Sequence, residues 1–195
     1  QGARLIDRAA MDQFFKEIQT GRRDVSAQDR SLSKAELKEL KRVSGYKTGL
    51  IVQALFETAA RVSELISVRL DKCEQRPEGG VIQTIGKRKK ERTFYMSEKT
   101  FLALREAYAG KVYLLEHEGK PLSRFTVSAL VKKAGKKIGR RIGAHSLRHT
   151  WASLNLEAGM SLPKVSGYLG HEDTSTTAKF YIHGRPVMSE IMIAN

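Results

Sequence analysis

The sequence predicts a mainly α-helical domain carrying one small antiparallel β element of two or three strands. Two observations lead there. Apolar residues recur at helical spacing over most of the chain, and the period shifts to β-rich runs in one place only, on either side of a short basic turn. The first helix is expected at about 7–19, where Ala10, Phe14 and Ile18 share a face, with the polar stretch 20–30 after it. The main domain opens at Ser33: Ser followed three residues later by Glu36 is the capping-box pattern, and Leu37, Leu40 and Val43 continue the stripe. A second helix follows at about 46–58, with Leu50, Ile51, Ala54 and Leu55 for the core, and a third begins near Arg61 with Leu65 and Ile66. The β-rich runs are 81–85 and 92–96, bracketing the basic segment 86–91. Helices are then expected at about 98–109 and 123–138, another seeded at His145 and stopped by Gly159, and short ones at 161–169 and 174–182. An apolar tail, 187–193, follows Pro186.

Composition narrows the partners. The 195 residues include 35 Lys or Arg against 21 Asp or Glu, a formal charge of +14. A surplus of that size favours a polyanion, because cations that neutralise phosphates release condensed counterions. The single cysteine, Cys73, excludes an internal disulfide framework and a four-cysteine metal cluster. No apolar run approaches the ~20 residues that span a bilayer, and the polar start carries no signal-peptide pattern, so a cytoplasmic protein is expected.

Several residues could carry chemistry, and each has a plain structural alternative. Arg61 stands at a helix start, where a solvated arginine is common. His145 and Arg148, three apart, share a helical face. His171 follows Leu169-Gly170, and Tyr181 lies ten residues further on, beside Phe180, where an isolated tyrosine would ordinarily be core. His145 and His149 have the i, i+4 spacing of a zinc pair, but no Glu follows the first histidine and a third ligand would have to come from elsewhere, so no metal is expected. Lys132, Lys133, Lys136, Lys137, Arg140 and Arg141 form a basic run just before His145, either a solvated face or a track along a nucleic-acid backbone. Breaking a phosphodiester requires stabilising concentrated negative charge on the non-bridging oxygens, and guanidinium groups match that geometry bidentately. It also requires a nucleophile and an acid for the leaving oxygen.

In that order the residues resemble the C-terminal catalytic domain of the tyrosine recombinases, the phage integrases and chromosome-dimer-resolving recombinases, over about Ser33 to Ile193. Ala60-Arg61-Val62-Ser63-Glu64-Leu65 is similar to the family's first arginine box, with Glu64 as its supporting acid. Ile85-Gly86-Lys87-Arg88-Lys89-Lys90-Glu91-Arg92 resembles the hairpin that presents the catalytic lysine, and by position that lysine is Lys87. His145-Ser146-Leu147-Arg148 resembles the His-x-x-Arg box, Leu169-Gly170-His171 the Leu-Gly-His box, and Thr176-Thr177-Ala178-Lys179-Phe180-Tyr181 the nucleophile box.

The resemblance implies that Arg61 and Arg148 hold the scissile phosphate, His145 acts on the nucleophile side and His171 hydrogen-bonds a non-bridging oxygen. Lys87 is then the general acid, and Tyr181 attacks to leave a 3′-phosphotyrosine and a free 5′-hydroxyl. Arg88, Lys89, Lys90 and the basic run are expected to contact double-stranded DNA. No cofactor is implied, since one phosphate ester replaces another. It also implies a homotetramer on paired DNA sites, with the tail (Val187, Met188, Ile191, Met192) packing onto a neighbouring copy. The organisation expected is a helix and linker remnant of a core-binding domain over 1–32, the catalytic domain over 33–184 and the tail over 185–195. The expected activity is integration or excision for a phage or mobile element. Chromosome-dimer resolution, type IB topoisomerase-like strand relaxation and a non-catalytic DNA-binding module remain open as rivals.

Overall fold

The computed structural model describes residues 31–76, 79–85 and 91–170. Its architecture follows from two helices that are apolar on more than one side. Helix α1 spans Lys34–Val43, α2 Tyr46–Thr58 and α3 Val62–Ile66. A 3₁₀ turn, Leu70–Lys72, leads into β1 (Cys73–Arg76), β2 (Gly79–Ile85) and β3 (Glu91–Met96). Helix α4 (Glu98–Tyr108), the short strands β4 (Glu116–His117) and β5 (Lys120–Pro121), α5 (Arg124–Lys137), α6 (Ala144–Glu157) and α7 (Leu162–Leu169) complete the order.

Every residue from Ala54 to Thr58 of α2, and from Ser146 to Leu156 of α6, is buried. A helix buried all round must lie at the centre. Helices α1, α4, α5 and α6 and strand β3 all pack on α2, and the core fills with Leu40, Ile51, Leu55, Phe56, Leu65, Phe94, Met96, Leu104 and Trp151. The sheet is antiparallel in the order β1-β2-β3, with Gly80 opposite Met96 and Ile85 opposite Glu91.

Local signals set the ends. The Ser33 hydroxyl accepts the Glu36 N–H at 3.1 Å and the Glu36 carboxylate accepts the Ser33 N–H at 2.8 Å, completing the expected capping box. Gly159, with φ 96°, follows α6 where a left-handed residue ends a helix. Two features went unread in the sequence. Strand β1 has no alternating pattern of its own, and the β4–β5 hairpin turns on Glu118 (φ 50°) and Gly119 (φ 75°). The expected helices at 7–19 and 174–182 and the tail lie outside the described residues. Among those residues no helix is long and apolar enough to cross a membrane.

The join between α5 and α6 places the front of α6. Arg140 N–H donates back to the Gly135 carbonyl at 3.0 Å, folding the chain onto the last turn of α5. A Cβ on Gly135 would lie 2.3 Å from Ile142 Cγ1 and 2.9 Å from the Arg140 carbonyl oxygen. Helix propensity alone favours alanine here by about 1 kcal/mol, yet overpacking of this kind costs about 1–3 kcal/mol. Gly135→Ala is therefore expected to lower the thermal midpoint, and a rise in the melting curve would show that the turn relaxes freely.

Candidate active site

The candidate site forms where the end of α2, the front of α6 and the end of α7 meet. After Thr58 the chain turns through Ala59, which takes the left-handed conformation (φ 45°) although it has a side chain. That turn puts Arg61 at the N-cap of α3. Glu64, 3% exposed, reaches back: its carboxylate accepts the Arg61 backbone N–H at 2.7 Å and the Arg61 guanidinium at 2.9 Å. Arg61 is thus oriented by a buried acid while a third of its side chain stays accessible.

Arg148 lies one turn into α6 and is 3% exposed. Its guanidinium donates to the Ala59 carbonyl at 2.7 Å and to the Leu169 carbonyl. Both oxygens sit at helix ends, where carbonyls lack their usual partner four residues on. Leu169 is the last residue of α7, and Gly170 after it is left-handed (φ 64°). One side chain therefore fastens the Ala59–Arg61 turn to the segment that enters His171.

His145, at the front of α6, is exposed. The domain on its inner side nevertheless displaces enough water to hold its imidazole below the ordinary histidine value of 6.5. The positive charges of Arg148 and Arg61 act in the same direction, and Glu64 opposes them. Two cations and one acid thus lie near enough to His145 for their charges to act on it.

Of the residues singled out in the sequence, Arg61, Glu64, His145 and Arg148 are brought together. Lys87, Arg88, Lys89, Lys90, His171 and Tyr181 lie outside the described residues. On the basic run, Lys132, Lys133, Lys136, Lys137 and Arg141 are exposed and Arg140 is half-buried. Lys137 donates to the Val43 carbonyl at 2.8 Å, closing the end of α1. Arg140 pairs with Glu36 and donates to the Ser31 carbonyl at 3.0 Å. Both cations also tie α5 and the turn after it to α1. His149 is buried within α6. The partners of Arg148 had no sequence signal, because a backbone carbonyl looks alike in every residue.

The domain is mainly helical with a small antiparallel sheet, and its helix ends gather two arginines, a histidine and a buried acid. A model described as the phage integrase family matches residues 30–186, and the chain belongs to that family. Tyrosine recombinase XerD of Staphylococcus aureus is 32% identical over 173 residues, covering 82% of this chain and 58% of that protein, so the chain spans under two thirds of such relatives. XerH site-specific recombinase, solved bound to its difH substrate in a pre-cleavage complex, matches with a TM-score of 0.64 at 21% identity, over 80% of this chain and 51% of that one. The catalytic core of lambda integrase matches with a TM-score of 0.59 at 20% identity, over 72% of this chain and 91% of that one. These likenesses show the fold.

The charge balance around His145 gives a titration test. Followed by NMR, His145 is expected to titrate below 6.5 and to be neutral at pH 7. Glu64→Gln, which removes the one opposing charge, lowers it further, and Arg61→Ala raises it. Since the unfolded chain takes up this proton first, His145 erodes stability as pH falls from 6.5 toward its folded value. A wild-type value above 6.5 contradicts this account.

Proposed function

We propose that this chain supplies the catalytic domain of a site-specific DNA recombinase or integrase that cuts and rejoins double-stranded DNA through a 3′-phosphotyrosine. The observation that carries the reading is the convergence of Arg61, Arg148 and His145 on one anion site in a chain of the phage integrase family. Arg61 and Arg148 hold the non-bridging oxygens of the scissile phosphate, and His145, neutral near pH 7, takes the phenol proton. The Tyr181 oxygen attacks phosphorus, the bond to the 5′-oxygen breaks, and Lys87 protonates that leaving oxygen. His171 donates to a non-bridging oxygen. The reverse attack by a 5′-hydroxyl reseals the strand with no net change in ester bonds, so the residues named suffice for the exchange.

Lys132, Lys133, Lys136, Lys137, Arg140 and Arg141, with Arg88, Lys89 and Lys90 between β2 and β3 in sequence, contact the DNA backbone. Function on paired sites as a homotetramer, with the 185–195 tail in trans, in the cytoplasm and for a phage or mobile element, belongs to the same reading. Type IB topoisomerase-like relaxation is the lesser alternative, because the relatives found are recombinases and integrases.

Nicked duplexes selected from a randomised pool supply the test. The wild-type chain is expected to form a denaturation-resistant adduct that Tyr181→Phe loses entirely; an adduct persisting in that variant would sink the assignment. Lys87→Ala should slow cleavage by a factor on the order of 10²–10⁴, the usual contribution of a general acid. A 5′-bridging phosphorothioate, whose leaving group needs no proton, should restore the rate. Binding should weaken steeply with salt, and a flat response between 50 and 200 mM (roughly the range over which phosphate contacts are lost) would argue against backbone contacts.

A further inference from the structure

Glu57 is a charged residue at the centre of the domain that the proposed chemistry leaves without a task. It sits in the last turn of α2 and is 4% exposed. A carboxylate so far from water is tolerated only when both oxygens are engaged. Here Oε2 accepts the Ser97 backbone N–H at 2.9 Å. Oε1 accepts the Ser97 hydroxyl and the Thr100 hydroxyl, each at 2.9 Å, and the Gln53 side-chain amide at 2.6 Å. Lys41 reaches the other end of Gln53, its ammonium donating to Oε1 at 2.6 Å.

The placement of those partners matters more than their number. Ser97 is the joint between β3 and α4, and Thr100 lies in the first turn of α4. Strand β3 is paired along its length with β2, and the residues between Ile85 and Glu91 include Lys87. On the other side of Glu57, two residues along, Ala59 delivers its carbonyl to Arg148, and Arg61 follows. One carboxylate therefore ties the arginine turn to the C-terminal end of the strand whose other end, Glu91, follows Lys87 in sequence. A second tie has the same sense: the Tyr95 N–H on β3 donates to the Tyr168 hydroxyl of α7 at 3.4 Å, close to the Leu169 carbonyl that holds Arg148. Apolar side chains could fill the same volume, but they would set no directional register between the strand and the turn.

We infer that Glu57 is a positioning residue for DNA cleavage, fixing β3, the strand that follows Lys87 in the chain, against the turn that carries Arg61 and receives Arg148. The inference rests on the recombinase reading. A general acid must come within hydrogen-bond reach of the leaving oxygen, and a misplacement of about 1 Å can cost on the order of a hundredfold in rate. The effect of losing Glu57 should therefore fall on the step that needs the lysine.

The test uses the full chain and a selected nicked duplex carrying either oxygen or sulfur at the 5′-bridging position. Glu57→Gln keeps size and shape but sets an amide N–H₂ against the Ser97 N–H or hydroxyl. It is expected to slow adduct formation on the oxygen substrate by about tenfold or more, with duplex affinity unchanged. On the sulfur substrate, which needs no acid, it should run within about threefold of wild type. An equal slowing on both substrates, or none on oxygen, overturns the inference while leaving the recombinase reading intact. Absence of any wild-type adduct overturns both. If Glu57→Gln shows no cooperative melting transition, Thr100→Val, which removes a single donor, is judged by the same oxygen-to-sulfur comparison.

Discussion

The buried guanidinium of Arg148 is the contact on which the arrangement of this domain turns. A group that never loses its charge is expensive to place at 3% exposure, and it stays because carbonyl oxygens stand ready to receive it. Those oxygens exist because α2 and α7 both stop at this point and leave end carbonyls unfilled by helix bonding. The ending of α2 is itself costly, since Ala59 adopts a conformation that disfavours any residue with a Cβ by about 1–2 kcal/mol. The interaction with Arg148 offsets that strain. Three helix ends are thereby drawn to one place, and the residues proposed to meet a phosphate are those next to the ends.

The burial pattern explains why this place is also electrostatically sharp. The last turn of α2 and the body of α6 are enclosed on all sides, so side chains next to them sit at the edge of a large volume from which water is excluded. Charge at such an edge is poorly screened. That is why the loss of water, and after it the charges of Arg148 and Arg61, favour the neutral form of His145, while Glu64 holds Arg61 in place. The outer surface follows different rules. Along α5, Lys132, Lys133, Lys136 and Lys137 all stay in water, and Lys137 and Arg140 also reach the two ends of α1. Part of the basic run thus serves surface and scaffold together, because helix α1 lies beside it.

Much of the fold was legible because its signals are local. The Ser33–Glu36 capping box, the span of α2 and the glycine stop after α6 involve residues a few positions apart, whose spacing encodes their contacts. Strand β1 and the β4–β5 hairpin were not legible: Cys73–Arg76 becomes a strand only because β2 offers it an edge, and the hairpin turn has Glu118 where Asn, Asp or Gly usually precedes the glycine. At the site, Arg61, Glu64, His145 and Arg148 could be named from residue type and order. Ala59, Leu169 and Glu57 could not, since two of them act through backbone oxygens and the third looks like any glutamate on a helix.

The sequence by itself determined the helices between Lys34 and Leu169 and the β2–β3 pair, the surplus of positive charge, and the ordered set of basic and hydroxyl-bearing residues that marks the family. Tertiary structure alone decided what those residues do for one another. Arg148 finds Ala59 across 89 positions of chain, and Glu57 finds Ser97 across 40. Spacing along a helix repeats every few residues and can be read from a string, but contacts at such separations depend on how whole elements pack. Packing is settled by the total burial of the core, to which no single one of these polar residues contributes a readable pattern.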